Sequence, residues 1–136
     1  MIIVSAVTCL ALTIYHEARN QNVTGQFAVA MVVRNRSLKE KDNNICHAAF
    51  ASKQFSWANK VTRINKYGYI VIDRNYMPER TDHAWQLAKK VAMLSSKVKD
   101  FTHGSTHYHT KAIHPYWEKS YHQTMVLGNH IFYKEV

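Results

Sequence analysis

Glu17, in the string IYHEARN (14–20), is the residue whose type and position best suit acid–base chemistry. Residues 1–14 carry no charge, and Ile3, Val7, Leu10 and Ile14 recur at helical spacing with Glu17 next on the stripe. This predicts a carboxyl group at the C-terminal end of a helix, on its inward side. Burial disfavours the charged form, and so does the negative end of the helix dipole. Both raise the pKa, and a carboxyl group that keeps its proton near neutral pH is what a general acid requires. The competing reading is a helix-end Glu whose side chain reaches water.

Two other groups of residues have chemical potential. QFSW (54–57) puts an amide, a hydroxyl and two aromatic rings on an expected loop. Exposed rings there suit stacking against sugars or bases, and the alternative is two rings plugging a core. Histidine is plentiful, nine in all, with His103, His107, His109, His114, His122 and His130 in the last third of the chain. His107 and His109 alternate onto one face of an expected strand. Such a pair is able to bind zinc with His103, His114, His122 or Glu17 as further ligands. The spacing permits that site without specifying it. His16-Glu17 does not open the zinc-protease helix motif, because residue 20 is Asn. Ser56 and Ser105 lie in no nucleophile elbow, and no glycine-rich phosphate loop is present.

The elements that must hold these residues read as helices first. One is expected over about 3–19, a second over 25–38 capped by Thr24, and a short third over 45–51 capped by Asp42 or Asn43. Another follows Thr81, with Ala84, Trp85, Ala88, Val91, Ala92 and Leu94 facing inward. Residues 67–72 read as a short strand or buried loop. After Asp100 the segments 106–110, 123–127 and 130–133 favour strand, with Gly128-Asn129 as a two-residue hairpin turn. The fold class is therefore α+β, helices first and a small C-terminal antiparallel sheet.

The 136 residues fit one domain, 1–136. With 46% hydrophobic and 20% charged residues the composition is that of a folded globular protein. Eighteen basic against nine acidic residues give a net charge of +9, which favours an anionic partner: nucleic acid, membrane or wall polymer. The lysines are scattered, and no nucleic-acid recognition motif accompanies them. Cys9 and Cys46 are too few for a stapled scaffold or a four-thiolate zinc site. Their default reading is two buried apolar residues, with a disulfide open to them in an oxidising compartment. Residues 1–14 lack a preceding basic residue and a following cleavage site, so they read as a core helix rather than a signal peptide. The run is also too short to span a bilayer.

Taken in order, CLALTIYHEAR (9–19), GQFAVAMVVRNR (25–36), ICHAAF (45–50), QFSW (54–57), THYHT (106–110), HPYW (114–117) and GNHIFYK (128–134) make the chain resemble the SleB/CwlJ family of bacterial cell wall hydrolases. That family is known from spore cortex-lytic enzymes and phages. Residues 58–100 match weakly. The resemblance implies a lysozyme- or lytic-transglycosylase-like domain, with one essential Glu on a helix beside a small sheet. The Glu of the family's EAR motif falls on Glu17. The implied activity is cleavage of the peptidoglycan glycan backbone after N-acetylmuramic acid; no cofactor or metal is expected. Where members often continue EAR with Gly-Glu, this chain has Asn20-Gln21, so a second carboxylate is not available there.

Most glycosidases use two carboxyl groups. Of the other acids none is an obvious partner in a matched block except Glu118, just past HPYW, which favours a single-carboxylate lytic transglycosylase. The expected supporting residues are Gln54, Ser56 and Tyr108 as hydrogen-bonding groups, Phe55, Trp57 and Trp117 as stacking walls, and His107 and His109 lining the groove. Trp117 reads equally as a core plug beside Pro115. Expected partners are peptidoglycan strands and, by charge, anionic cell-wall or outer-membrane polymers, with no specific nucleic acid and a monomeric chain. With no visible export signal, the expectation is a phage endolysin made in the host cytoplasm and released through a separate holin-type membrane hole. The rival classes are a zinc-dependent N-acetylmuramoyl-L-alanine amidase, motivated by the histidines, and a non-catalytic basic wall- or nucleic-acid-binding module.

Overall fold

The computed structural model describes residues 2–40, 43–50 and 62–136. The expectations for Gln54, Phe55, Ser56 and Trp57 lie outside these residues. The helices are α1 (Ala6–Ala18), α2 (Val23–Ser37), α3 (Ile45–Ala49) and α4 (His83–Leu94). The strands are β1 (Ile2–Ile3), β2 (Thr62–Ile64), β3 (Ile70–Ile72), β4 (His107–Thr110), β5 (His122–Leu127) and β6 (His130–Lys134). The expected order, helices followed by a small antiparallel sheet, is the one observed.

α1 is the central element. It packs against α2, α3 and α4, and Cys9 through Ile14 are all buried. Each large apolar side chain hidden this way stabilises the fold by about 1.5–3 kcal/mol. Thr13, buried among them, donates its hydroxyl to the Cys9 carbonyl at 3.0 Å, so its polar group is not left unpaired. The helix begins later than expected. Ser5 caps it, accepting from the Thr8 amide at 3.2 Å. The β-branched Ile2 and Ile3 pair instead with Ile72 and Val71 of β3. Ile3 and Val7 are exposed, so the inward stripe starts at Leu10.

Other caps also shift by a residue or two. Asn22 caps α2 through the Gly25 amide at 2.9 Å, and Thr24 falls inside the first turn. Asn44, not Asp42 or Asn43, caps α3 through His47. Asp82, not Thr81, caps α4, accepting from Ala84 and Trp85. Its second oxygen accepts from the Tyr15 hydroxyl at 2.6 Å, which ties α4 to α1. Trp85, Ala88, Val91 and Ala92 face inward, whereas Leu94 is exposed.

Cys9 of α1 and Cys46 of α3 form a disulfide, with Cα atoms 5.3 Å apart and a sequence separation of 37. This corrects the default reading of two buried thiols. Two residues on separate helices become neighbours only through tertiary packing.

The C-terminal sheet has the order β4-β6-β5, antiparallel throughout. Leu127 and His130 pair across a two-residue turn, and Gly128 supplies the positive φ of 59° that the turn requires. The approach to β4 is anchored on α2. Asp100 accepts from the Thr102 and Gly104 amides. Asn35 donates to Asp100 at 3.1 Å and to the Ser105 carbonyl at 2.9 Å. His103 and Gly104 turn the chain there with φ of 57° and 77°. Among the described residues, no helix is long and apolar enough to cross a membrane.

Candidate active site

Register decides which side chains of the C-terminal sheet meet α1. Tyr108 is opposite Phe132, and Thr110 is opposite His130. Directly opposed residues share a face, so these four point one way. His107, opposite Tyr133, and His109, opposite Ile131, point the other. The first face looks toward the helices: Phe132 is fully buried in the shared core, and Tyr108 belongs to it as well. Glu17, in the last turn of α1, meets Tyr108 there.

The Tyr108 hydroxyl donates to Glu17 Oε1 at 3.0 Å. Two effects act on Glu17. Burial raises its pKa above the ordinary carboxyl value, and the bond from Tyr108 pulls it back down; burial is the larger, so the net shift is upward. Tyr108 itself is pushed well above the usual phenol range by burial and by the adjacent Glu17, so it remains a donor. Arg19, two residues beyond the acid, lies over the Tyr15 ring, 4.7 Å from its centroid.

A cleft of about 430 Å³ opens beside this pair. Glu17, Tyr108, His109, Thr110 and His130 form its polar wall, and Ile113, Pro115 and Trp117 its apolar wall. A polar rim around an acid, facing an apolar surface, suits a sugar: hydroxyls on one side and the C–H face of the ring on the other. Among the described residues that line the cleft, Glu17 is the one carboxylate.

The structure distributes the expected site residues unevenly. Tyr108 reaches the cleft, but its hydroxyl is engaged by the acid. Trp117 lines the cleft and also closes the outer face of the sheet. It stacks on Tyr121 at 5.4 Å and packs edge-on to Tyr133 at 5.2 Å, so groove wall and core plug are both true of it. His107 does not line the cleft, which corrects that expectation. Its Nε2 accepts from Arg36 at 3.1 Å, leaving Nδ1 to donate to Thr106 Oγ1 at 3.0 Å. Burial, with the Arg36 cation second, brings its pKa down to about 4.

His109 lines the cleft, but both of its nitrogens are spoken for. Nδ1 donates to the Thr110 carbonyl at 2.7 Å, which makes Nε2 the acceptor of the Tyr133 hydroxyl at 2.9 Å. Glu118 is not in the cleft wall. Its carboxylate accepts from His114 Nδ1 at 3.1 Å and lies 3.6 Å from His109 Nε2. Among the described residues, no three His, Cys, Asp or Glu side chains are grouped to hold a metal ion.

His130 was given no role by its sequence context. It is 3% exposed, lines the cleft, and lies against the Tyr108 ring at 4.8 Å. Its Nδ1 is buried with no hydrogen-bond partner among the described residues, a condition that costs about 1–3 kcal/mol. Burial, and after it the nearby His109, lowers its pKa, which favours the neutral ring. The available signal was the hairpin: Gly128-Asn129 fixes His130 as the first residue of the returning strand. The pairing of that strand with β4, which aims His130 at the cleft, is long-range.

Residues 20–133 match the cell wall hydrolase family, a match that begins three residues after Glu17. No curated protein matches. Among solved structures, the chain is similar to the catalytic domain of the germination-specific lytic transglycosylase SleB from Bacillus anthracis. The TM-score is 0.69 at 23% identity, covering 95% of this chain and 93% of that one. It is similar to the SleB catalytic domain of Bacillus cereus with a TM-score of 0.69 at 22% identity, covering 95% and 89%. At such identities the likeness is one of fold. With 20–133 matched, the chain belongs to the cell wall hydrolase family.

Proposed function

We propose that the chain cleaves the glycan backbone of peptidoglycan after N-acetylmuramic acid, as a lytic transglycosylase with Glu17 as its acid and base. The observation that carries this reading is the Glu17 carboxyl, held by Tyr108 at the edge of a sugar-sized cleft with its pKa raised by burial. Protonated Glu17 delivers its proton to the glycosidic oxygen as the bond to C1 breaks. The resulting carboxylate then takes the proton of the same sugar's 6-hydroxyl. That oxygen attacks C1, closing a 1,6-anhydro ring and returning the proton to Glu17. No second carboxylate is needed, and no atom is gained from water. The name of the solved Bacillus anthracis relative supports the choice of reaction.

The setting is part of the proposal. A disulfide between Cys9 and Cys46 supports work outside a reducing cytoplasm. The charge of +9 suits anionic wall or outer-membrane polymers. A monomeric phage endolysin, released to the wall through a holin-type pore, fits both.

Digestion of purified peptidoglycan by wild type and Glu17→Gln, with and without chelator, tests the reading by mass spectrometry. Anhydro-muropeptides are expected from wild type in both conditions, with at least a thousandfold slower release from Glu17→Gln. Reducing-end products alone would replace transglycosylation with hydrolysis. Free stem peptides, or activity lost in chelator, would overturn the reading in favour of a zinc amidase.

A further inference from the structure

The cleft holds two histidines in opposite states. His109 has a partner at each nitrogen. His130 is paired through its backbone in the sheet, but its side chain makes no hydrogen bond among the described residues, and its Nδ1 is buried. Side chains this deeply buried are nearly always satisfied. Its position is not incidental to the acid. Glu17 touches the hydroxyl of Tyr108 and His130 touches its ring, so a sugar seated against one is within reach of the other.

We infer that His130 is a substrate-binding residue, taking a neutral polar group of the glycan, a hydroxyl or an acetamido group, on a sugar at the bond Glu17 cleaves. The inference rests on the proposed glycan cleavage. A neutral imidazole offers one N–H and one lone pair. A hydroxyl satisfies either, and an acetamido group satisfies either through its C=O or N–H. A stem-peptide carboxylate would call for a cation, and burial disfavours the charged form of this ring. With the ring as it stands Nδ1 is closed to a ligand; a turn about Cβ–Cγ presents it to the cleft, so that the cost carried by the free protein is relieved when the substrate arrives, a known form of the exchange between stability and function.

That exchange gives the test two readouts that a structural histidine would not combine. In the Glu17→Gln background, a peptide-free tetrasaccharide of two N-acetylglucosamine–N-acetylmuramic acid repeats is titrated by calorimetry, with and without His130→Phe. Phenylalanine keeps the ring against Tyr108 and removes both nitrogens. The expected result is about tenfold weaker binding, with a Tm equal to or above that of the parent. Binding within twofold of the parent would overturn the inference, whatever the Tm. His130→Leu carries the same expectation should phenylalanine not fold. If Glu17→Gln still cleaves, or if the parent binds no glycan, the reading of function fails instead, so the two failures are told apart.

Discussion

The C-terminal sheet has two faces, both rich in histidine and aromatic side chains, and they do opposite things. On the outer face His107 and His109 are bonded at both nitrogens and walled in by Trp117, Tyr121 and Tyr133. On the inner face Tyr108 holds an acid and His130 holds nothing. The two outer-face histidines have committed both nitrogens to protein partners, one of them to Arg36 of α2, so they hold the structure even where His109 borders the cleft. The inner face keeps capacity in reserve, which is what a site that must recognise something else requires. Residue type therefore does not identify the chemistry here; the state of the partners does.

Substitutions on the two faces should separate into losses of rate and losses of stability. The largest effect belongs to the inner face. Glu17→Gln should slow glycan cleavage by a factor of a thousand or more, about 4 kcal/mol in the barrier, while circular dichroism shows the fold intact. Next comes His107. Its folded pKa of about 4 lies below its unfolded value of 6.5. Between those values the unfolded chain binds more protons, so stability is lost as pH falls through that window. Urea unfolding should show about 2–3 kcal/mol less stability at pH 4.5 than at pH 7 from this group, and His107→Gln should flatten that dependence. An unchanged slope in the variant would mean other groups set it.

His109→Phe comes third. Two hydrogen bonds disappear and the Tyr133 hydroxyl loses its partner, for about 2 kcal/mol of stability. At a temperature where the variant is fully folded, kcat should stay within about threefold of wild type; a collapse in kcat would move His109 into the catalytic group. The smallest effect, and the sharpest in sign, is Tyr108→Phe. The bond it removes lowers the Glu17 pKa. A general acid loses activity as pH rises through its pKa, so the alkaline limb of the pH–rate profile should move to higher pH. The maximal rate should fall about tenfold, because the carboxyl is no longer held. A limb that moves to lower pH would show that Glu17 is not the titrating acid.

Much of this was legible from short-range pattern. Glu17 at a helix end needed only the part of the apolar stripe that holds, Leu10 and Ile14. The last hairpin needed only Gly128-Asn129, and the helices-then-sheet order followed from where periodicity changed. What escaped was set at long range. Strand β1 exists because β3, some seventy residues on, offers it an edge. The caps at Asn22, Asn44 and Asp82 lay among several capping residue types in a row, and tertiary docking chose among them. The alternation of His107 and His109 was readable, but which face of the strand met α1 was not. The Cys9–Cys46 pairing was hidden for the same reason.

That disulfide gives the protein two lifetimes. It closes a loop of 37 residues around the turn from α1 into α2 and anchors the helix that carries the acid. In the chain-entropy account a loop of that length stabilises by about 4 kcal/mol, about a thousandfold in the fraction of molecules open at any moment. Proteases cut the open form. On that account the chain with free thiols opens about a thousandfold more often than the oxidised chain and is the more open of the two to proteolysis. The clock is set by the thiol chemistry of its surroundings rather than by its own residues.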